Sequence, residues 1–241
     1  MKRTTKVLAL LALAFGAQAC AAGQLADLSV YDRTEGKRLP VYWHSGRAYV
    51  AGKPGNEYQV KVLNRGGEDL LAVVSVDGVN AISGQTADTS QSGYVLSPGS
   101  AVDVQGWRKS LSQTAAFYFT SLADSYAGRT GRPDNVGVIG VALFRRKQEP
   151  LAQIAPLEKR ESNRDAAAAP RAEAQIGTGH GRLETAYARY VSFERATANP
   201  TELLTIYYDS RANLVARGII RDPLPVAPLP RPFPGFAPDP V

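Results

Sequence analysis

Short runs rich in Val, Tyr, Phe and Ile, separated by clusters of Gly, Pro, Asn, Asp and Ser, fill the sequence between residues 28 and 144. Hardly any stretch there has helical period, so the pattern predicts an all-β fold. The predicted strands cover residues 28–31, 39–43, 47–50, 58–64, 70–76, 93–96, 101–107, 115–119 and 136–144.

The predicted strands show two kinds of side-chain pattern. Residues 58–62 alternate between apolar and polar, which is typical of a strand with one face on a core and one in water. Residues 70–74 and 136–144 are continuously apolar, as in strands that are covered on both faces. Two packed sheets explain both patterns, so we expect a β-sandwich of the jelly-roll or immunoglobulin-like kind.

Turn residues fit this architecture. Asp77-Gly78 and the stretch 64–67 supply residues that tolerate positive φ, and both are predicted to stand at hairpin positions. Asp77 and Asn80 could also serve as oxygen ligands of a calcium loop, but the full acidic spacing and the closing Glu of such a loop are missing. A hairpin turn is the favoured interpretation.

Residues 1–20 predict an export signal. Lys2, Arg3 and Lys6 precede the apolar residues 7–15, and small residues follow. The apolar core is far shorter than the roughly 20 residues that span a bilayer, and no later segment comes close. We expect an exported protein that resides in the periplasm, at the outer membrane or outside the cell.

Cys20 is the single cysteine of the chain and lies at the end of this signal. The preceding residues 17–19 read either as a cleavage site or as a degenerate bacterial lipobox, and both interpretations stay open. A lipid on Cys20 would be the one expected contact with a membrane. No internal disulfide can form, so the fold must depend on its hydrophobic core.

Half of the excess of basic over acidic residues lies in the predicted signal. The sequence has 28 Lys and Arg against 22 Asp and Glu, and Lys2, Arg3 and Lys6 account for half of the excess. Proteins that bind nucleic acid usually concentrate a larger excess on one face, so no nucleic-acid partner is expected.

The second half of the chain divides by composition. A sandwich domain over residues 24–146 is followed by a charged, Ala-rich linker over residues 147–177. Residues 178–222 predict a small strand-strand-helix element, with strands at 187–193 and 203–208 and a helix capped by Ser210 and ended by Gly218. We expect this element to dock on the sandwich or on a partner. Residues 223–241 form a proline-rich, extended tail.

Several segments of the central block resemble a family of uncharacterised exported proteobacterial proteins. The resemblance is carried by residues 75–80, 92–95, 106–110, 115–119, 124–127, 131–133 and 135–141, and it extends to 208–210 and 213–218. It implies export and compact folding, and it carries over no activity.

The inventory of reactive residues argues against an enzyme. The two histidines, His44 and His180, have no acidic or cysteine neighbours at ligand spacing, so neither a metal nor another cofactor is expected. The usual hydrolase and metalloprotease motifs do not occur. A triad assembled from distant residues stays open, because geometry defines it.

The loop 124–135 is the strongest candidate for a ligand site. Arg129 and Arg132 lie beside glycines, and arginine forks next to such backbone suit carboxylate or phosphate groups. Tyr126 and Trp107 complete the candidate set, provided that Trp107 is exposed. In the alternative interpretation Tyr126 and Trp107 belong to the core, while Asp124 and Asp134 pair with the two arginines.

Three functions are compatible with these features. The favoured one is a non-enzymatic module of the cell envelope that binds a protein or cell-wall partner. The alternatives are a small-ligand or hydrolase-like site at loop 124–135, and a self-assembling surface subunit.

Overall fold

Two β-sheets pack face to face in the computed structural model of the protein, which describes residues 21–148 and 176–221. The predicted all-β sandwich is confirmed. The export signal, Cys20, most of the linker and the tail lie outside the described residues.

The first sheet has the central order β1-β2-β6-β12-β11, with β3 paired to β2, β10 to β6 and β14 to β12. Its strands are β1 (Ala21–Ala22), β2 (Ala26–Asp32), β3 (Lys37–Arg38), β6 (Glu57–Asn64), β10 (Ala101–Val104), β11 (Gly106–Arg108), β12 (Gln113–Ser121) and β14 (Ile176–Thr185).

The second sheet has the order β4-β5-β15-β13-β7-β8, with β9 paired to β7. Its strands are β4 (Tyr42–His44), β5 (Arg47–Gly52), β7 (Leu70–Val76), β8 (Val79–Asn80), β9 (Tyr94–Leu96), β13 (Val138–Arg145) and β15 (Glu202–Ser210). β15 lies parallel to β5 and antiparallel to β13.

The core lies between the sheets and explains both sequence patterns. In β6, Tyr58, Val60 and Val62 are fully buried while the residues between them are partly exposed, as the alternation predicted. β7 and β13 are almost continuously apolar because part of their outer face is covered as well: Leu71, Val73, Ala142 and Phe144 form a cluster on which Phe193 packs.

A short helix covers another part of the outer face of the second sheet. Helix α2 (Arg211–Ala216) begins after Ser210, whose side chain accepts a hydrogen bond from the Asn213 amide, and Gly218 follows with positive φ. This confirms the predicted N-cap at Ser210 and the predicted end of the helix at Gly218. Leu214, Ile219 and Ile220 pack on Tyr49.

The predicted strand at residues 187–193 is wrong. This segment has no regular secondary structure, and the strand that precedes it, β14, begins at Ile176, within the last residues of the predicted linker. β14 joins the first sheet and β15 the second, so the predicted C-terminal element is part of the sandwich.

The two predicted hairpin turns have different outcomes. Asp77 and Gly78 join β7 to β8 with φ values of 53° and 72°, as the sequence predicted. The prediction for residues 64–67 is wrong, because the chain passes there from β6 in one sheet to β7 in the other. Within residues 21–148 and 176–221, no helix has the length and apolar character needed to cross a membrane.

Candidate functional site

Loop 124–135 is built around one helical turn, α1 (Tyr126–Arg129). The Ser125 side chain accepts a hydrogen bond from the Gly128 amide, which caps the turn. A single 3₁₀ turn, Pro133–Asn135, then leads the chain towards β13. The loop is therefore an ordered connection that holds its side chains in fixed places.

The ring of Tyr126 lies at the centre of an aromatic group. Its centroid is 4.9 Å from that of Trp107 and 5.7 Å from that of His180. Trp107 is itself buried, packs edge-on against Phe117 and donates from Nε1 to the Gly179 carbonyl at 3.4 Å. Trp107 is therefore a core residue that supports Tyr126, and it presents no face to solvent.

The two loop arginines differ in their contacts. The Arg132 guanidinium lies 5.7 Å from the Tyr126 ring centroid and donates to the Gly84 carbonyl at 3.1 Å and to the Thr130 hydroxyl. Arg129 is exposed. The expected ion pairs with Asp124 and Asp134 are not formed, since Asp124 accepts from the Ser121 hydroxyl instead.

The electrostatics at this end of the sandwich favour negative ligands. Partial burial and the nearby charges of Lys109 and Arg129 lower the pKa of His180, so its imidazole is neutral at neutral pH. The region thus brings together the cations Lys109, Arg129 and Arg132 and a neutral imidazole, of which Arg132 and His180 contact the Tyr126 ring. Of the predicted residues, Tyr126, Arg129 and Arg132 lie together on the surface, and Trp107 lies beneath them.

A second surface lies on the end of β14 and on the connection between β14 and β15. Tyr187 and Tyr190 are 85% and 89% exposed, and Leu183 and Val191 are 59% and 49% exposed. We call these four residues the tyrosine surface. The sequence does not predict this surface, because its aromatic and β-branched residues predict a strand that would bury alternate side chains.

The connection is anchored on both sides of its tyrosines. The amides of Ala186 and Ala188 donate to the carbonyls of Ser112 and Leu111 at 2.8 and 2.7 Å. Further along, the Arg195 guanidinium donates to the carbonyls of Thr89 and Gln91 and lies 4.2 Å from the Phe144 ring centroid. Because the backbone is held, a partner would not have to order it on binding.

An ion-pair network lies at the base of this connection. The Arg33 guanidinium makes two hydrogen bonds to the Glu184 carboxylate, at 2.7 and 2.8 Å. Arg182 contacts Glu184 at 2.6 Å and Glu57 at 2.8 Å, and this hydrogen bond lowers the pKa of Glu57. The network ties β14 to β6 and to the end of β2, and so fixes the strand from which the tyrosine surface extends.

A buried polar chain crosses the core at Asp77. Its Oδ1 accepts from the Tyr208 hydroxyl at 2.5 Å and from the Gly137 amide at 2.9 Å, and its Oδ2 accepts from the Thr178 amide at 2.7 Å. The Thr178 hydroxyl is hydrogen-bonded to the hydroxyls of Tyr58 and Tyr208. All of these side chains are buried and saturated by one another, so the chain joins the sheets and offers no binding site.

Other reactive residues are dispersed. His44 stands on the exposed strand β4, far along the chain from His180 on β14. Over the described ranges no three His, Cys, Asp or Glu side chains gather as a metal ligand set.

Comparisons of the chain with family models, curated proteins and solved structures return no match. What the protein does must therefore be argued from its own geometry.

Proposed function

We propose that this protein is an exported, non-enzymatic module of the cell envelope that binds a protein or cell-wall partner through the tyrosine surface. The observation that carries the proposal is the exposure of Tyr187 and Tyr190, at 85% and 89%, on a connection that is hydrogen-bonded to the neighbouring loop through the amides of Ala186 and Ala188. Burial of these rings by a partner would release free energy that the unbound protein does not gain.

Tyrosine suits this role for physical reasons. Its ring offers a large apolar contact area with few rotatable bonds, and its hydroxyl can bond to a polar partner at the same time. Leu183 and Val191 add aliphatic area on the same stretch of chain. The proposal includes the export signal at residues 1–20, which would deliver the module to the envelope.

The test is an envelope crosslinking experiment that compares the natural protein with a double variant, Tyr187→Ser and Tyr190→Ser. Both side chains are almost fully exposed, so the variant should fold normally while its partner, read by mass spectrometry or by co-sedimentation with purified cell wall, is lost. Trp43→Ser on strand β4, where the ring is 52% exposed, is the matched control and should keep the partner. A double variant that retains every partner of the natural protein would overturn the proposal.

A second candidate function is supported by the positive charge around His180. We propose that Lys109, Arg129 and His180 bind a small carboxylate or phosphate ligand beside Tyr126. Removal of a nearby cation should raise the pKa of His180, because that cation disfavours the imidazolium.

One NMR titration tests this site. Inorganic phosphate should shift the His180 ring signals saturably, and Arg129→Gln should abolish the response while raising the pKa of His180. Arg38→Gln, on the exposed strand β3, should leave both unchanged. Equal phosphate responses in the two variants would show that no specific site exists there.

A further inference from the structure

The outer face of the second sheet is covered at both ends. At one end Leu214, Ile219 and Ile220 pack on Tyr49, and Tyr207 borders the same cluster. At the other end Phe193 packs on the cluster that contains Phe144. We call these two groups of residues, the one around Ile219 and Ile220 and the one around Phe193, the two walls of the outer face.

Between the walls lies an open part of the sheet, which we call the central strip. Leu203 is 63% exposed and pairs with Ala142 of β13, whereas β5 pairs with β15 only from Ile206 onward. A methyl group built on Gly140 would meet nothing nearer than the Ser75 Cβ at 4.0 Å, so none of the described residues packs closely over this position. The strip consists of Ser75, Val138, Gly140, Leu203 and Thr205, and it has no ionisable side chain.

The chain leaves the described structure at the border of this strip. Ile219 and Ile220 form part of one wall, and Arg221 follows. Twenty residues remain, 222–241, and those from 223 to 230 alternate prolines with Leu, Val and Ala and carry no charge. An uncharged segment rich in apolar residues therefore begins beside an uncharged groove.

The lengths are compatible. From Tyr207 to Leu203 the strip runs about 13 Å along β15, at about 3.3 Å per strand residue. An extended proline-rich segment advances about 3.1 Å per residue, so the residues up to 227 suffice to cover it.

We propose that the proline-rich segment 222–241 binds the central strip in cis. Proline has no amide hydrogen and cannot extend a sheet by edge pairing, but it can lie across the face of a sheet and pack its rings and neighbouring side chains there. Proline-rich segments bind apolar grooves with little loss of entropy because they are already extended. The covalent link raises the effective concentration of the segment to the millimolar range, so even a weak contact is populated.

A paramagnetic label tests this contact directly. The chain 21–241 keeps every described residue and has no cysteine, so Ala227→Cys offers a single attachment site for a nitroxide. Methyl signals of Leu203 and Val138 should broaden several-fold more than those of Leu63, which lies on the other sheet. Equal broadening on both sheets would overturn the proposal.

Two further variants sharpen the test. Leu203→Asp should release the segment and reduce the broadening of Val138 to the level of Leu63, whereas Leu111→Asp, a change at a 45% exposed residue between β11 and β12 of the other sheet, should not. Broadening that persists in Leu203→Asp would overturn the proposed position. In a mixture, a nitroxide on one molecule that broadens the methyl signals of another molecule without nitroxide would show a contact with a second copy. That result would also overturn binding in cis.

Discussion

At the scale of single residues, Asp77 joins three distant parts of the chain, because its carboxylate accepts hydrogen bonds from Gly137, Thr178 and Tyr208. Burial raises the pKa of its carboxyl from 3.8 to about 6, against the opposing effect of its hydrogen bonds. When the carboxyl takes up a proton at Oδ1, it can donate to the Tyr208 hydroxyl. The hydroxyls of Tyr208 and Thr178 can then rotate, so that Tyr208 donates to Thr178 and Thr178 donates to Tyr58. The protonated carboxyl therefore keeps hydrogen-bond partners along the chain as far as the Tyr58 hydroxyl, which accepts from Thr178 in this state.

This arrangement predicts an unusual pH dependence of stability. Between pH 3.8 and about 6 the folded state binds more protons than the unfolded state, so the free energy of unfolding falls as the pH rises through this range. On lowering the pH from 7 to 4, we expect the natural protein to gain on the order of 2 to 3 kcal/mol relative to Asp77→Asn. Urea unfolding at several pH values measures the difference.

The control for this prediction is Asp103→Asn, an exposed position on β10. Its stability should follow that of the natural protein across the whole range. If the curves of the natural protein and Asp77→Asn run parallel from pH 7 to 4, the proton uptake does not occur at Asp77.

At the scale of secondary-structure elements, the last strand of the chain occupies an internal position. β15 fills the space between β5 and β13, and pairs with both along most of its length. β14 makes the outer part of the first sheet and carries Thr178 into the buried polar chain. Neither strand can be removed without opening a sheet.

A truncation experiment follows from these positions. A chain of residues 21–175 lacks both strands, leaving β5 and β13 without a partner between them, and we expect it to show neither cooperative unfolding nor dispersed NMR signals. A chain of residues 21–221 should retain both. A folded 21–175 chain would instead support the sequence-based division, in which residues 24–146 form a domain of their own.

At the scale of the whole molecule, the sequence predicted the sandwich because side-chain patterns report burial. β6 and β7 agree with their predicted bounds within a residue, since each has a pattern that local chemistry explains. β14 was not found because Gly177, Gly179 and Gly181 weaken its β signal. The glycines make room for side chains from elsewhere: a Cβ on Gly179 would lie 2.2 Å from the Tyr118 ring.

The candidate surfaces were predicted less well, because exposure to solvent depends on tertiary packing as well as on the local sequence. The loop arginines could be found because arginine beside glycine is a local pattern. Whether Trp107 and Tyr187 face the core or the solvent depends on which strands pack above them, and that is decided by residues far away in the chain. Trp107 is 3% exposed and Tyr187 is 85% exposed, although both are aromatic residues in predicted strands.

The parallel pairing of β5 with β15 also bears on how fast the protein reaches its native state. Ala48 pairs with Ile206, which is far away in the sequence. The chain must therefore lose the entropy of closing this long loop before the pairing of β5 with β15 stabilises it. Such topologies fold slowly, and until β15 arrives the apolar edges of β5 and β13 remain open to association with other chains. A nascent chain would therefore not complete its second sheet until nearly all of it had been synthesised, a delay that would suit the export proposed for this protein.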